Sequence, residues 1–242
     1  MDQEVEYRAL LAVDIEHSAG RGNVAFWQIR DVLSTALRSS FEQSGIDWEA
    51  CLRDDLGDGM RVTLPPGARK SALIHPLVHE LSVRLRAHNR TAGPLTRIRV
   101  RIALHAGDVR LGPSGEVTGH PLEVLARLLD ATPVRTALAQ APETVTAALL
   151  VSPHFYDETV RHGYPGVDPD TFRNVTFTEK EYTAHAWLHL PGSTAVPPAP
   201  TQDRADSEQA HGRSKMVNNA SGNGVVYATQ HGTQHIHITG KP

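Results

Sequence analysis

A single cysteine, Cys51, in 242 residues rules out an internal disulfide, and with it the stapled scaffolds of small secreted domains. Long apolar runs are missing too. No stretch approaches the roughly 20 apolar residues that a bilayer crossing needs, and the N-terminus, MDQEVEYRALLAVDIE, lacks the basic and then apolar order of a secretory signal. A cytoplasmic protein without membrane attachment is the expectation. An excess of positive charge is also absent: 24 Lys and Arg stand against 27 Asp and Glu, a net charge of -3. Nothing there supplies the broad positive field by which proteins hold nucleic acid, so nucleic acid is not an expected partner. The one arginine-rich run, TRIRVRIALH, alternates its arginines with Ile98, Val100, Ile102 and Leu104, which is the pattern of a half-buried strand.

What is present is an ordinary globular composition, 40% hydrophobic and 21% charged, in a chain long enough for one core and a tail. YRALLAVD, Tyr7 to Asp14, reads as a central strand ending in an acid. From Val24 to Ser44 apolar residues recur at helical spacing, and Gly45 closes the segment. Strands at about 47–53 and 60–64 form a hairpin, with Cys51 as a buried spectator in the first. A helix is expected from Pro76 to Asn89, followed by the arginine-alternating strand, a turn at AGDV and a return strand near Val109. Then come a helix over Pro121–Ala131, a short helix to Gln140, the strand TAALLVS, the helix PHFYDETVRHG and a last strand from Thr183 to Leu190. The economical arrangement is an α/β sandwich on a ferredoxin-like core with an inserted hairpin, spanning residues 1–190.

Composition changes after Leu190. Residues 191–217 have neither periodicity nor enough apolar content to fold and read as a disordered linker. Residues 218–242 differ again, nearly uncharged, free of Pro until the last residue, and rich in Gly, Asn and Gln. Such a segment pairs with copies of itself, laddering Asn219, Asn223, Gln230 and Gln234. His235 and His237 stand two apart with no cysteine or acid to complete a closed metal site.

In RDDLGDGMRV, Arg53 to Val62, Asp58 lies between two glycines. Gly-Asp-Gly serves a tight hairpin turn. The same acid, if the hairpin lies beside the first strand, would stand near Asp14, and two carboxylates at one sheet edge suit Mg or Mn. Both readings are open on spacing alone.

Four segments in order, LAVDIEHSAGRG, GDGMRV, RIALHAGDV and GHPLEVLARLLDA, resemble the catalytic-domain motifs of class III nucleotidyl (adenylate/guanylate) cyclases. The span from Tyr7 to Gly192 is similar to a cyclase-homology domain of the actinobacterial type. The resemblance implies two divalent ions, Mg or Mn, held by Asp14, Asp58 and the backbone carbonyl of Ile15. It also implies a nucleoside triphosphate substrate and a homodimer in which Arg127 acts on the phosphate from the partner's side. Lys180 matches a distal phosphate-binding lysine. The base-selecting positions fall on Asp54 and His120, and Glu123 stands where the family usually has an asparagine that orients the ribose. An acid beside a triphosphate adds repulsion, so the resemblance leaves two readings: a cyclase, or an inactive nucleotide-sensing or dimerisation module. His105 is expected to pack in support of a turn at Gly107. The segment NNASGNGVVYATQHGTQHIHI resembles amyloid-forming signalling motifs of the RIP-homotypic-interaction type, which implies recruitment by an NLR-like receptor.

Overall fold

The computed structural model describes residues 5–179 and 182–193. Strand β1, Val5–Ile15, carries Leu10, Leu11, Ala12 and Val13 all buried, the continuous apolar run expected of a central strand covered on both faces. A loop holding Gly20 and Gly22 at positive φ leads into α1, Asn23–Gln43. The hairpin follows as β2, Leu52–Asp55, and β3, Gly59–Thr63. Next a helical run starts at α2, Lys70–Ala72, continues irregularly through Leu73–Val78 and ends as α3, His79–Asn89. Strand β4 is Val100–Leu111 and β5 Val117–Thr118. Helices α4, His120–Asp130, and α5, Thr132–Gln140, precede β6, Ala147–Val151. The short α6, Pro153–Glu158, precedes the β7, Arg173–Glu179, and β8, Tyr182–His189, pair.

The strands form one mixed sheet in the order β2-β3-β1-β4-β6-β8-β7, with β5 on the end of β4. β4 and β6 pair in parallel, joined by the α4–α5 crossover, and the other ladders are antiparallel. Because side chains alternate along a strand, β1 serves two cores. Leu11, Val13 and Ile15 pack with α1 and α3 residues such as Leu37 and Leu81. Leu10 and Ala12 pack with α4 and α5 residues such as Leu125 and Val134. Asp14 continues the second series, so its carboxylate is turned toward the α4–α5 face.

The α/β sandwich and its inserted hairpin are as expected, with three local corrections. Residues 48–51 form a loop before β2; Trp48 and Cys51 are buried because Trp48 packs its ring 5.0 Å from that of Phe41, not because they alternate along a strand. The helix from Pro76 to Asn89 is as expected: His75, with extended backbone at φ -136 and ψ 122, separates it from the short helical piece that starts at Lys70. No turn interrupts AGDV: β4 runs straight through it. Gly107 is required there by packing, since a Cβ would lie 2.7 Å from Cγ of Pro121 in α4. The last strand is half of a hairpin, pairing with β7, whose alternating RNVTFTE marks it as a strand. Among the described residues no helix is long and apolar enough to cross a membrane.

Candidate active site at the end of β1

Asp14 is paired across β1–β3 with Gly59 and across β1–β4 with Arg101. That register brings three charged groups together. The Asp58 backbone carbonyl accepts a hydrogen bond from Ile15 N–H at 3.2 Å, fixing the hairpin tip against the end of β1. The Asp58 carboxylate accepts from the Ser18 hydroxyl at 2.5 Å. One Asp14 oxygen, Oδ2, is ion-paired with Arg101. The other, Oδ1, is buried and has no hydrogen-bond partner.

Burial pushes the Asp14 carboxyl up to about 6. Arg101 opposes that rise, whereas the neighbouring Asp58 and the more distant Asp130 add to it. Burial wins over a contacting guanidinium because the carboxylate loses most of its water while a second acid crowds it. A buried acceptor with no donor beside a second carboxylate is what a divalent cation satisfies. The residues therefore fit Mg or Mn. Among the described residues no group of three or more His, Cys, Asp or Glu gathers, so the chain would supply Asp14, Asp58 and the Ile15 carbonyl, leaving positions for phosphate oxygens and water.

The remaining expected residues lie on other elements. Asp54, on β2, is ion-paired with Arg61 at 2.9 Å. His120, Glu123 and Arg127 follow one another at helical spacing along the outer side of α4, all at least partly exposed. Glu123 sits 3.6 Å from Arg127 as an i,i+4 pair. Lys180 lies outside the described residues, as does everything read in residues 194–242. His105 is buried as expected, with Nδ1 2.7 Å from the Ser152 hydroxyl; burial drives it down to about 4, which keeps it neutral.

TRIRVRIALH reads as a strand with a solvated arginine face, which gives Arg101 no place in the site. Its signal is register: Arg101 stands directly opposite Asp14 on the antiparallel β4, where a charge is placed to pair with it. Arg101 also borders a cleft of about 360 Å³ whose far wall is Arg135 and Thr136 of α5. On the hairpin side, Asp58 borders a cleft of about 510 Å³ with Trp27 and Arg30 of α1. Asp58 thus borders the first hollow, and Arg101, the partner of Asp14, borders the second together with Arg135 and the carboxylate of Glu16.

No protein-family model matches the sequence, and no curated protein does. Solved structures match the fold. An adenylate/guanylate cyclase/hydrolase from Silicibacter pomeroyi aligns with a TM-score of 0.56 and 20% identity, over 78% of this chain and 99% of that one. The guanylyl cyclase Cya2 aligns at 0.54 and 14% identity, over 81% and 99%. A bacterial light-regulated adenylyl cyclase aligns at 0.58 and 13% identity, over 77% and 53%. The described domain therefore has the fold of class III adenylate/guanylate cyclase catalytic domains.

Proposed function

We propose that the domain binds a nucleoside triphosphate with Mg or Mn at the end of β1 and converts it to a cyclic nucleotide as a homodimer. The observation that carries this is the joining of Asp14 and Asp58, with one buried Asp14 oxygen left without a donor, on a sheet of the cyclase fold. Divalent ions held there would activate the ribose 3'-hydroxyl and offset phosphate charge. Asp14 and Asp58 would supply the anionic ligands and Ser18 would hold the Asp58 carboxylate in orientation. Arg101, freed from Asp14 once that carboxylate is otherwise neutralised, would face the phosphates. Arg127, on the outer side of α4, would reach the site of a second copy. A structure of similar fold, from a rhodopsin-guanylyl cyclase of converted specificity, was solved with ATPαS. This supports a nucleotide as the ligand class.

The test is incubation of the purified chain with each of the four NTPs and Mn, followed by chromatography for cyclic nucleotide and pyrophosphate. Turnover by the native chain and a loss of about a hundredfold or more in Asp58→Asn is the expected result. No product from either protein overturns the enzymatic reading.

A second reading is favoured by one observation: Glu123 already lies against Arg127, the cation that catalysis would need. A nucleotide-sensing or dimerisation module is then the function, and calorimetry with a non-hydrolysable NTP analogue showing binding without turnover selects it.

On either reading we propose that residues 218–242 recruit the protein into assemblies seeded by an NLR-like receptor, concentrating the domains so that dimeric sites form. The nearly uncharged Gly-, Asn- and Gln-rich composition supports this. A peptide of residues 214–242 is expected to form thioflavin-positive fibrils with the 4.7–4.8 Å cross-β reflection. A peptide that stays monomeric at about millimolar concentration removes the recruitment idea and leaves the domain reading intact.

A further inference from the structure

We propose that the chain carries a second, metal-independent anion site, for the polyphosphate group of a di- or triphosphate, between α3, the segment leading into β4 and the segment leading into β6. The cleft there measures about 480 Å³, and five of its lining residues are arginines: Arg21, Arg86, Arg90, Arg97 and Arg99. Glu16 and His17 also border the hollow beside Arg101, but Asp14, Asp58 and Arg101 do not line this cleft, so an anion held there needs neither the two acids nor the cyclase reading.

The charge balance is what distinguishes this cleft. Two carboxylates line it, Glu16 and Glu143. Glu143 pairs with Arg97 at 3.2 Å, and Glu16 with Arg99 at 3.5 Å. Arg21, Arg86 and Arg90 have no ion-paired carboxylate among the described residues, so five cations against two anions leave three positive charges facing one hollow.

Arg21, Arg86 and the ion-paired Arg99 are also held by backbone carbonyls. Arg21 donates to the backbone carbonyls of His17, Glu16 and Arg97 at 2.7, 2.9 and 2.6 Å. Arg86 donates to the Thr144 carbonyl and Arg99 to the Val145 carbonyl, both at 3.1 Å. A carbonyl partner sets the direction of a guanidinium without cancelling its charge. For these three the cost of ordering a long side chain around an anion is met by the fold, not by the ligand.

Guanidinium forks match phosphate oxygens in pairs. Three uncompensated charges gathered around one compact hollow suit a short polyphosphate, which carries several charges in a few ångströms. A single phosphate would leave positive charge unmatched, and an extended acidic peptide would spread beyond the cleft.

The test is calorimetry of the full chain with sodium tripolyphosphate in EDTA, which keeps divalent cations away from Asp14 and Asp58. Tripolyphosphate is expected to bind at least about tenfold more tightly than inorganic phosphate, and Arg86→Gln with Arg90→Gln to weaken it by about tenfold or more. Asp58→Asn should leave that affinity unchanged. Because Arg86 also holds the Thr144 carbonyl, Arg90→Gln alone, at an exposed position, is the companion variant, with a loss of roughly threefold or more. An ATP arm under the same conditions separates sources: equal affinity assigns the cleft to nucleotide tails, weaker affinity to free polyphosphate. Absence of binding at millimolar tripolyphosphate, unchanged affinity in the arginine variants, or loss in Asp58→Asn overturns the proposal.

Discussion

Arg101→Ala is expected to destabilise the domain by about 2–4 kcal/mol at pH 8, and by far less at pH 5. Both partners of the Asp14–Arg101 pair have side chains only 13% exposed, and removing one member of such a pair leaves the other as an uncompensated buried charge. The pH dependence follows from Asp14. Its carboxyl is already raised to about 6 from an ordinary 3.8, so the folded state binds the proton more tightly than the unfolded state. The resulting penalty is absent below the unfolded value, grows as pH rises between the two, and is complete above about 6. Deleting Arg101 removes the one influence that lowers this carboxyl, which moves the folded value higher and extends the penalty upward. At pH 5 Asp14 is largely protonated in both proteins, and the difference shrinks to the lost packing of the arginine stem. Urea unfolding at the two pH values, in EDTA, measures it. A variant within about 0.5 kcal/mol of the native chain at pH 8 would mean that the pair contributes nothing in solution.

The same residue shows where the sequence stops being informative. β1 and α1 are legible because their apolar spacing is local, and the hairpin acids are legible because Gly-Asp-Gly between strands has few uses. Asp14 and Asp58 are therefore legible as neighbours only on the condition that the hairpin lies beside β1, which the β1–β3 pairing meets. That Arg101 closes on Asp14 is not legible, because it depends on how β4 registers against β1, a fact set by the whole sheet. The stretch AGDV misled in the opposite sense. Glycine and aspartate ordinarily signal a turn, yet Gly107 sits in the middle of β4 because Pro121 presses on it, a long-range demand with no local mark. Trp48, Ala50 and Leu52 alternate as in a strand, yet Trp48 and Cys51 are buried in a loop instead, where the Cys51 thiol lies 3.3 Å from the Asp47 carbonyl. His120, Glu123 and Arg127 are singled out by the cyclase resemblance and not by helical spacing, and the pairing of Glu123 with Arg127 bears on function more than their position on α4 does.

Gly59→Ala is expected to cost about 3 kcal/mol and to abolish Mn-dependent nucleotide binding. Gly59 is the β3 residue opposite Asp14, and a Cβ there would lie 2.1 Å from the Val13 carbonyl oxygen and 3.0 Å from the Asp14 Cα. Both obstacles are backbone in a central strand, so β1 cannot yield and β3 must move away. Moving β3 breaks the Ile15 N–H bond to the Asp58 carbonyl and draws the Asp58 carboxylate off Asp14. Stability and ligand binding should then fall together. Gly57→Ala, two residues earlier in the same hairpin, separates this from a general intolerance of the turn. Gly57 has φ +89 and open space where a Cβ would go, so alanine there incurs only the backbone cost of about 1–2 kcal/mol. Its Asp58 still reaches the end of β1. Thermal unfolding and calorimetry with Mn and a non-hydrolysable NTP analogue should show Gly57→Ala weakened in stability but binding, and Gly59→Ala failing in both. Equal behaviour of the two variants would show that the β1–β3 approach at Gly59 does not set the position of Asp58.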